Sequence, residues 1–308
     1  MEFYIGKEEN GISVLDFLRV KLGISRAMIR ELKYREGGIE VDGAHVTVRK
    51  ILSEGETLSI KTEDEAASEN IVPSDIPIEI AFEDDELVIP AKSPFMPTHP
   101  SHGHYDDTMA NALAFRYKDA PTPFVFRPVN RLDRNTSGLV LVAKSRMAAS
   151  RLFESMRRGE IKKSYIALLE GVLPESEGEI DAPIARLDAS VILRTVSPSG
   201  ASALTKYRVL FSDGEHSLVL CMPITGRTHQ LRVHFAYLGA SIVGDGLYGN
   251  ESPLIARHAL HAARLVLSHP KSGEELDVRA PLPDDMLSLI ASLFGERADE
   301  ALRALESL

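Results

Sequence analysis

A chain of mixed strands and helices is what the sequence predicts, and two observations carry the expectation. Short apolar or alternating runs, the mark of strands, recur along the chain, and they mix with a small number of capped helical patterns. The length of 308 residues suits roughly two domains.

The elements follow in order. Ser13-Val14-Leu15-Asp16 reads as a capping box that opens a helix over 13–22, because a serine oxygen accepts from first-turn amides while the Asp16 carboxylate complements the helix dipole. Gly23 stops it. Ser25 starts a second helix, Arg26 to Arg35, with bases at 26, 30 and 33 on one face, closed by Gly37-Gly38. Strands are expected at Ile39–Asp42, Val46–Val48 and Leu58–Lys61, with turns at Gly43 and Gly55. Further strands are expected at 78–82, 87–89, 139–143, 165–169, 207–210 and 217–220. Ser145 caps a helix that Gly159 closes, and Pro283 starts a last helix through Leu293.

Composition narrows the class. With 44% apolar and 26% charged residues, the chain is neither fibrous nor disordered. One cysteine, Cys221, rules out a disulfide framework and a thiolate zinc cluster, so a reducing compartment, the cytoplasm, is expected. No basic leader, apolar leader or long apolar run suggests secretion or a membrane span. The formal charge of -10 argues at first sight against a polyanionic partner. Its distribution reverses that. Residues 63–89 hold ten acids and no Lys or Arg, whereas residues 127–163 hold ten bases against three acids, and residues 19–35 six bases against one. Exposed charges are screened beyond about 10 Å, so two local basic stripes matter more than the total.

Two segments concentrate chemistry. In Asn130-Arg131-Leu132-Asp133-Arg134-Asn135-Thr136-Ser137-Gly138, one carboxylate stands between two arginines, which favours its ionised form. In Thr225-Gly226-Arg227-Thr228-His229-Gln230-Leu231-Arg232-Val233-His234, cationic and imidazole groups gather without an acid. A metal is not expected at His229 and His234, which are five apart without a nearby acid or thiolate, nor at His99, His102 and His104 among prolines and glycine. Gly244 to Gly249 matches the spacing of a dinucleotide fingerprint, but Pro253 follows where a helix should.

The run Gly23-Ile24-Ser25-Arg26, then Gly38-Ile39-Glu40-Val41-Asp42-Gly43, then Gly55-Glu56-Thr57-Leu58-Ser59-Ile60 resembles the S4 RNA-binding domain. The resemblance implies a domain over 1–62 whose Ser25, Arg26, Arg30 and Lys33 face RNA, joined by an acidic linker, 63–74, to a domain over 75–308. That second part resembles the RluA-type pseudouridine synthases, in the S4-bearing subgroup that acts on large-subunit ribosomal RNA. Arg131-Leu132-Asp133-Arg134 with Thr136-Ser137-Gly138-Leu139, Lys163-Ser164-Tyr165, Thr225 to His234, Gly244-Asp245, Tyr248-Gly249 and Leu260-His261-Ala262 occur in the family's order. Asn130 stands where the family often has histidine, and Ala91-Lys92-Ser93-Pro94 replaces the usual Asn-Lys-Pro.

The resemblance implies an α+β fold, with a mixed, mostly antiparallel central sheet, flanking helices and a site in a cleft across it. It implies Asp133 as the catalytic carboxylate, Arg227 as its guanidinium partner and Tyr165 against the target base, with Arg131 and Leu231 in the pocket. Arg134, Lys163 and Arg232 would hold RNA. No cofactor or metal is expected, since the reaction is an isomerisation. The expected partner is RNA, ribosomal or transfer, bound by a monomer. An everted uridine needs an aromatic face, worth about 1 to 3 kcal/mol per stacked base, and a dry apolar wall.

Overall fold

The computed structural model describes residues 1–62, 66–68, 70–187, 190 and 192–306. The acids Glu63, Asp64, Glu65 and Glu69 of the expected linker lie outside the described residues.

At the amino end, β1 (Glu2–Tyr4), α1 (Val14–Asp16), α2 (Arg26–Tyr34), β2 (Ile39–Val41), β3 (Ala44–His45) and β4 (Thr57–Ile60) build a sheet of order β1-β4-β2-β3 with helices packed on it. Ser13 and Ser25 cap α1 and α2 by accepting from the amides of Asp16 and Met28. The predicted first helix changes geometry after one turn, continuing as a π-helix over Phe17–Lys21 in which Leu22 donates back to Phe17 O. No strand forms at 46–48. Val48 O and Lys50 O instead accept from the amides of Leu15 and Val14, satisfying the exposed amino end of α1. Ile5, Leu18, Ile29, Leu32, Ile39 and Leu58 fill this unit's core.

The rest of the chain is organised by an eleven-stranded sheet. Its strands are β5 (Glu79–Glu83), β6 (Leu87–Lys92), β7 (Arg127–Pro128), β8 (Ser137–Leu139), β9 (Val142–Ala143), β10 (Lys162–Glu170), β11 (Glu177–Asp181), then, beyond a separate pair, β12 (Ile184–Arg186) and β13 (Arg194–Val196), β14 (Leu204–Ser212), β15 (His216–Pro223), β16 (Leu260–Ser268) and β17 (Glu275–Arg279). The order runs β11-β14-β15-β10-β16-β8-β6-β9-β7, with β17 on β16 and β5 on β6. β8 and β16 are parallel, and among the described residues the sheet's other strand pairings are antiparallel. The helices are α3 (Met109–Arg116), α4 (Arg146–Arg157), α5 (Gln230–Tyr237), α6 (Asp284–Phe294) and α7 (Ala298–Leu305).

Period-two alternation explains why the central strands are apolar on both faces. Leu87, Ile89, Leu139 and Leu141 join Ala148 and Leu152 of α4 in one core, while Val88, Val140 and Val142 join the larger core on the other face with Met286 and Leu289 of α6. The apolar run 139–143, expected as one strand, is two. Its partner β6 carries Pro90 opposite the break, and a proline has no N–H to give to the ladder.

The amino-terminal unit rests on α4. Met147 of α4 inserts into its core, Ser25 N donates to Ser150 Oγ at 2.6 Å, and Arg151 Nε donates to Leu22 O at 3.0 Å. The described part of the acidic segment is also tied down. Asn111 of α3 donates to Val72 O at 2.7 Å, and Ser68 Oγ accepts from Phe126 N at 3.0 Å.

Gly138 closes the approach of β8 to β16. Its φ is +109°, and a Cβ built there would stand 2.2 Å from Ala262 O. Gly138→Ala is expected to lower unfolding stability by at least about 2 kcal/mol, from backbone strain and the clash together. A urea midpoint equal to wild type would contradict that packing.

Candidate active site

A cleft of about 650 Å³ opens across the sheet, between the loop that precedes β8, the face of β10, helix α4 and the start of α5. Asp133, in the loop, is the one carboxylate among the described residues that line it.

The loop is held by its backbone from both sides. Thr98 Oγ1 donates to Leu132 O at 3.0 Å, Lys92 Nζ to Arg134 O at 3.0 Å, and Arg257 Nη1 to Asn135 O at 3.2 Å. Thr136 Oγ1 shares a hydrogen bond with His258 Nε2 at 2.7 Å, and Ser137 Oγ with His261 Nδ1 at 2.9 Å. Arg257 is fully buried and also makes a two-pronged pair with Asp285 of α6, at 2.6 and 2.9 Å. Lys92 gives its other two protons to Ser93 O and Met96 O, at 2.9 and 2.8 Å. Burial, seconded by the charge of Arg257, pulls its pKa down to about 7, yet three carbonyls at bonding distance call for the three protons of an ammonium. Lys92 was not among the expected site residues. Only the departure from the Asn-Lys-Pro pattern marked its position.

Asp133 Oδ2 accepts from Arg232 Nη1 at 3.2 Å and lies 3.8 Å from His229 Nε2. The guanidinium expected there was that of Arg227. Arg227 lies in the loop ahead of α5, stays exposed on the rim, and donates through Nε to Ser202 O at 2.9 Å. Arg232, expected to contact RNA, lies within α5, which turns it inward. Its side chain is 6% exposed. Nor do the neighbours of Asp133 in sequence enclose it. Arg134 Nε donates to Phe95 O at 3.1 Å, and Arg131 is exposed on the cleft wall.

Arg232 is shared between two carboxylates. Its Nε and Nη2 each donate to Asp245 at 2.7 Å, which leaves Nη1 for Asp133, and the ring of Tyr248 lies 5.1 Å from its Cζ. Burial opposes the ionisation of Asp245, but Arg232 more than offsets it and the carboxyl pKa is lowered; Arg232 is raised in turn despite its own burial. Tyr248 also meets His229 Nδ1 through its hydroxyl, at 2.7 Å. Asp245 and Tyr248 belong to the Gly-Asp and Tyr-Gly matches, but no side-chain role had been expected of them.

Tyr165 and Lys163 stand two residues apart on β10, and both line the cleft, as period two requires. A register shift against β16 between Ser164 and Tyr165 marks a bulge at this point. Burial first, then the charge of Asp133, raises the Tyr165 pKa, so the phenol stays protonated. Burial lowers that of Lys163. Leu231 and Leu132, both buried, supply an apolar wall, and His99, with its pKa lowered by burial and Arg131, closes one side. His229 and His234 diverge. His234 is buried between Thr205 Oγ1 and Ala182 O, each at 2.9 Å.

The histidines behind the loop carry a prediction. Burial lowers the His258 pKa to about 3 and the His261 pKa to about 4, from an ordinary 6.5. Both rings are neutral when folded, so between these values and 6.5 the unfolded chain binds more protons. Their contribution is full above pH 6.5 and is lost as pH falls toward 4 and then 3, by up to about 1.4 kcal/mol per pH unit for each ring. Urea midpoints should fall between pH 7 and 4.5, less steeply in His258→Gln. Equal slopes in the two proteins would refute the assignment.

Comparison with known proteins fixes the family. Residues 86–237 match the model of the RNA pseudouridylate synthase family. The chain is 38% identical over 270 residues to the uncharacterized RNA pseudouridine synthase YjbO of Bacillus subtilis, covering 88% of this chain and 95% of the relative. The chain belongs to the RNA pseudouridylate synthase family. It is therefore an isomerase that acts on RNA. The ribosomal large subunit pseudouridine synthase D of Vibrio cholerae is 36% identical over 301 residues, covering 92% of this chain and 90% of that one. Human RNA pseudouridylate synthase domain containing 1 shares the fold at a TM-score of 0.55 and 30% identity, over 67% of this chain and 84% of the human one. The α+β architecture, with its mixed and mostly antiparallel sheet, is thus that of RNA pseudouridylate synthases.

Proposed function

We propose that this chain converts uridine to pseudouridine in large-subunit ribosomal RNA, in the cytoplasm, with Asp133 acting at the glycosidic bond and no cofactor. One observation carries the reading: a lone carboxylate on the cleft floor, 3.2 Å from a guanidinium that a second, buried carboxylate holds in place. Most glycoside hydrolases use a pair of carboxylates about 5 to 9.5 Å apart across the sugar, and among the described residues the cleft offers one. Relatives named for the large ribosomal subunit, matching over nine-tenths of the chain, support that RNA as substrate. The S4-like pattern of residues 1–62 supports it as an RNA-binding unit.

In this reading, the bond from ribose C1′ to uracil N1 breaks while the Asp133 carboxylate faces the electron-poor sugar. The freed ring turns against Tyr165 and Leu231. C5 then bonds to C1′, C5 loses its proton, and N1 gains one. Nothing is oxidised, reduced or hydrolysed.

The test is release of tritium from C5-labelled uridine in large-subunit ribosomal RNA transcripts. Label should appear in solvent without free uracil. Free uracil would identify a hydrolase, and no release from ribosomal or transfer RNA would leave a silent binding factor. Sequencing of modified uridines in a deletion strain should show losses in large-subunit ribosomal RNA.

A further inference from the structure

His229 lines the cleft beside Asp133, with its side chain 13% exposed. It precedes α5 at a φ of +57°, a left-handed conformation that is unfavourable for a residue with a Cβ, and its side chain gives the helix no cap in return. Tyr248 holds the ring. The two rings meet edge to face at 5.6 Å between centroids, and the phenol hydroxyl lies 2.7 Å from Nδ1.

The tautomer of His229 follows from these neighbours. Tyr248 Oη accepts from the backbone amide of Arg194 at 3.0 Å, where β13 begins. Burial raises the Tyr248 pKa, so the phenol keeps its proton, and among the described residues His229 Nδ1 is the one acceptor within its reach. The hydroxyl therefore donates to Nδ1. Burial lowers the His229 pKa, against the charges of Asp133 and Asp245 and with those of Arg232 and Arg194, so the ring is neutral at pH 7. With Nδ1 accepting, the single ring proton sits on Nε2.

Nε2 faces Asp133 Oδ2 across 3.8 Å, which exceeds a direct hydrogen bond and admits one oxygen about 2.8 Å from each. A donor thus confronts an acceptor across a gap of one atom. A uracil carbonyl placed there would accept from the N–H but turn its lone pairs on the carboxylate. The N3–H of uracil would donate to the carboxylate but meet the N–H head-on. A hydroxyl suits both sides, because its oxygen accepts while its proton is given away.

We propose that His229 and Asp133 together grip the ribose 2′-hydroxyl of the target uridine, which makes His229 a specificity-determining residue that selects ribose over deoxyribose. The proposal rests on the isomerase reading, in which Asp133 faces C1′; the 2′-hydroxyl is carried by the adjoining carbon. That hydroxyl is the group by which a protein tells RNA from DNA at a given nucleotide. Tyr248 is a positioning residue, since it keeps the imidazole proton on the side of the cleft.

The experiment uses two transcripts of large-subunit ribosomal RNA, one carrying C5-tritiated uridine and one C5-tritiated 2′-deoxyuridine. Single-turnover tritium release is measured for wild type, His229→Ala and Tyr248→Phe. Comparing each protein on both transcripts cancels what the deoxy sugar does to the RNA itself. Wild type should be about 30-fold slower on the deoxy transcript than on the uridine one. His229→Ala should be about 30-fold slower than wild type on uridine, and about threefold slower again on deoxyuridine. The difference in discrimination, about tenfold, is the share of one hydrogen bond. Tyr248→Phe, which keeps the ring and loses the hydroxyl, should narrow the wild-type discrimination by about threefold, and it decides the question if His229→Ala does not fold. A folded variant that discriminates as strongly as wild type overturns the proposal, as does wild type that reacts equally fast on both transcripts. Wild type that releases no tritium from the uridine transcript would overturn the isomerase reading, and this assignment with it.

Discussion

Asp133→Asn is expected to lower pseudouridine formation by at least about 10⁴-fold while leaving RNA affinity within about threefold of wild type. The substitution keeps the side chain's shape and removes the charge that the proposed mechanism sets against the electron-poor sugar, and loss of a group with that role costs on this scale. Fold is not at stake. Asp133 is half-buried, and the loop is anchored through the backbone of Leu132, Arg134 and Asn135, none of which the substitution touches. Single-turnover tritium release and fluorescence binding on one RNA separate the two quantities. Activity within about tenfold of wild type would remove Asp133 from the chemistry.

Arg232→Met should damage both stability and activity. Asp245 is 1% exposed and receives two hydrogen bonds from this guanidinium, so the variant strands a buried charge. Breaking a buried pair from one side costs about 3 to 5 kcal/mol. Arg232→Lys places a point charge where a fork is needed and should satisfy one carboxylate at a time. The informative variant removes both members. Arg232→Met with Asp245→Leu should recover most of the lost stability, because no buried charge is left over, yet remain about as inactive as Arg232→Met alone. Recovery of activity along with stability would show that Arg232 serves packing and not Asp133.

How much of this was legible beforehand depends on how local each feature is. Strands β10, β14 and β15 and helix α4 announce themselves by apolar runs and a serine cap, which act within a few residues. Helix α5 does not. Its residues 230–235 are all buried, so no polar face sets a period, and its first residue follows His229, which sits at a φ of +57° with no side-chain cap. The misassignment of Arg227 has the same root: without the helix boundary, nothing distinguishes the rim arginine from the one turned inward. The shared grip of Arg232 on Asp133 and Asp245, separated by 99 and 13 residues along the chain, exists only after folding. The carbonyl anchors from Lys92 and Arg257 are equally non-local, and a carbonyl has no letter in the sequence.

The clasp between Arg257 and Asp285 bears on folding order as well as shape. A guanidinium without surface exposure, fastened at one end to the loop that carries Asp133 and at the other to α6, has its charge balanced inside the fold only when that helix is in place. The loop that carries Asp133 therefore gains this anchor only when α6 has docked, and ordering of the site is expected to be coupled to docking of the carboxy-terminal helices.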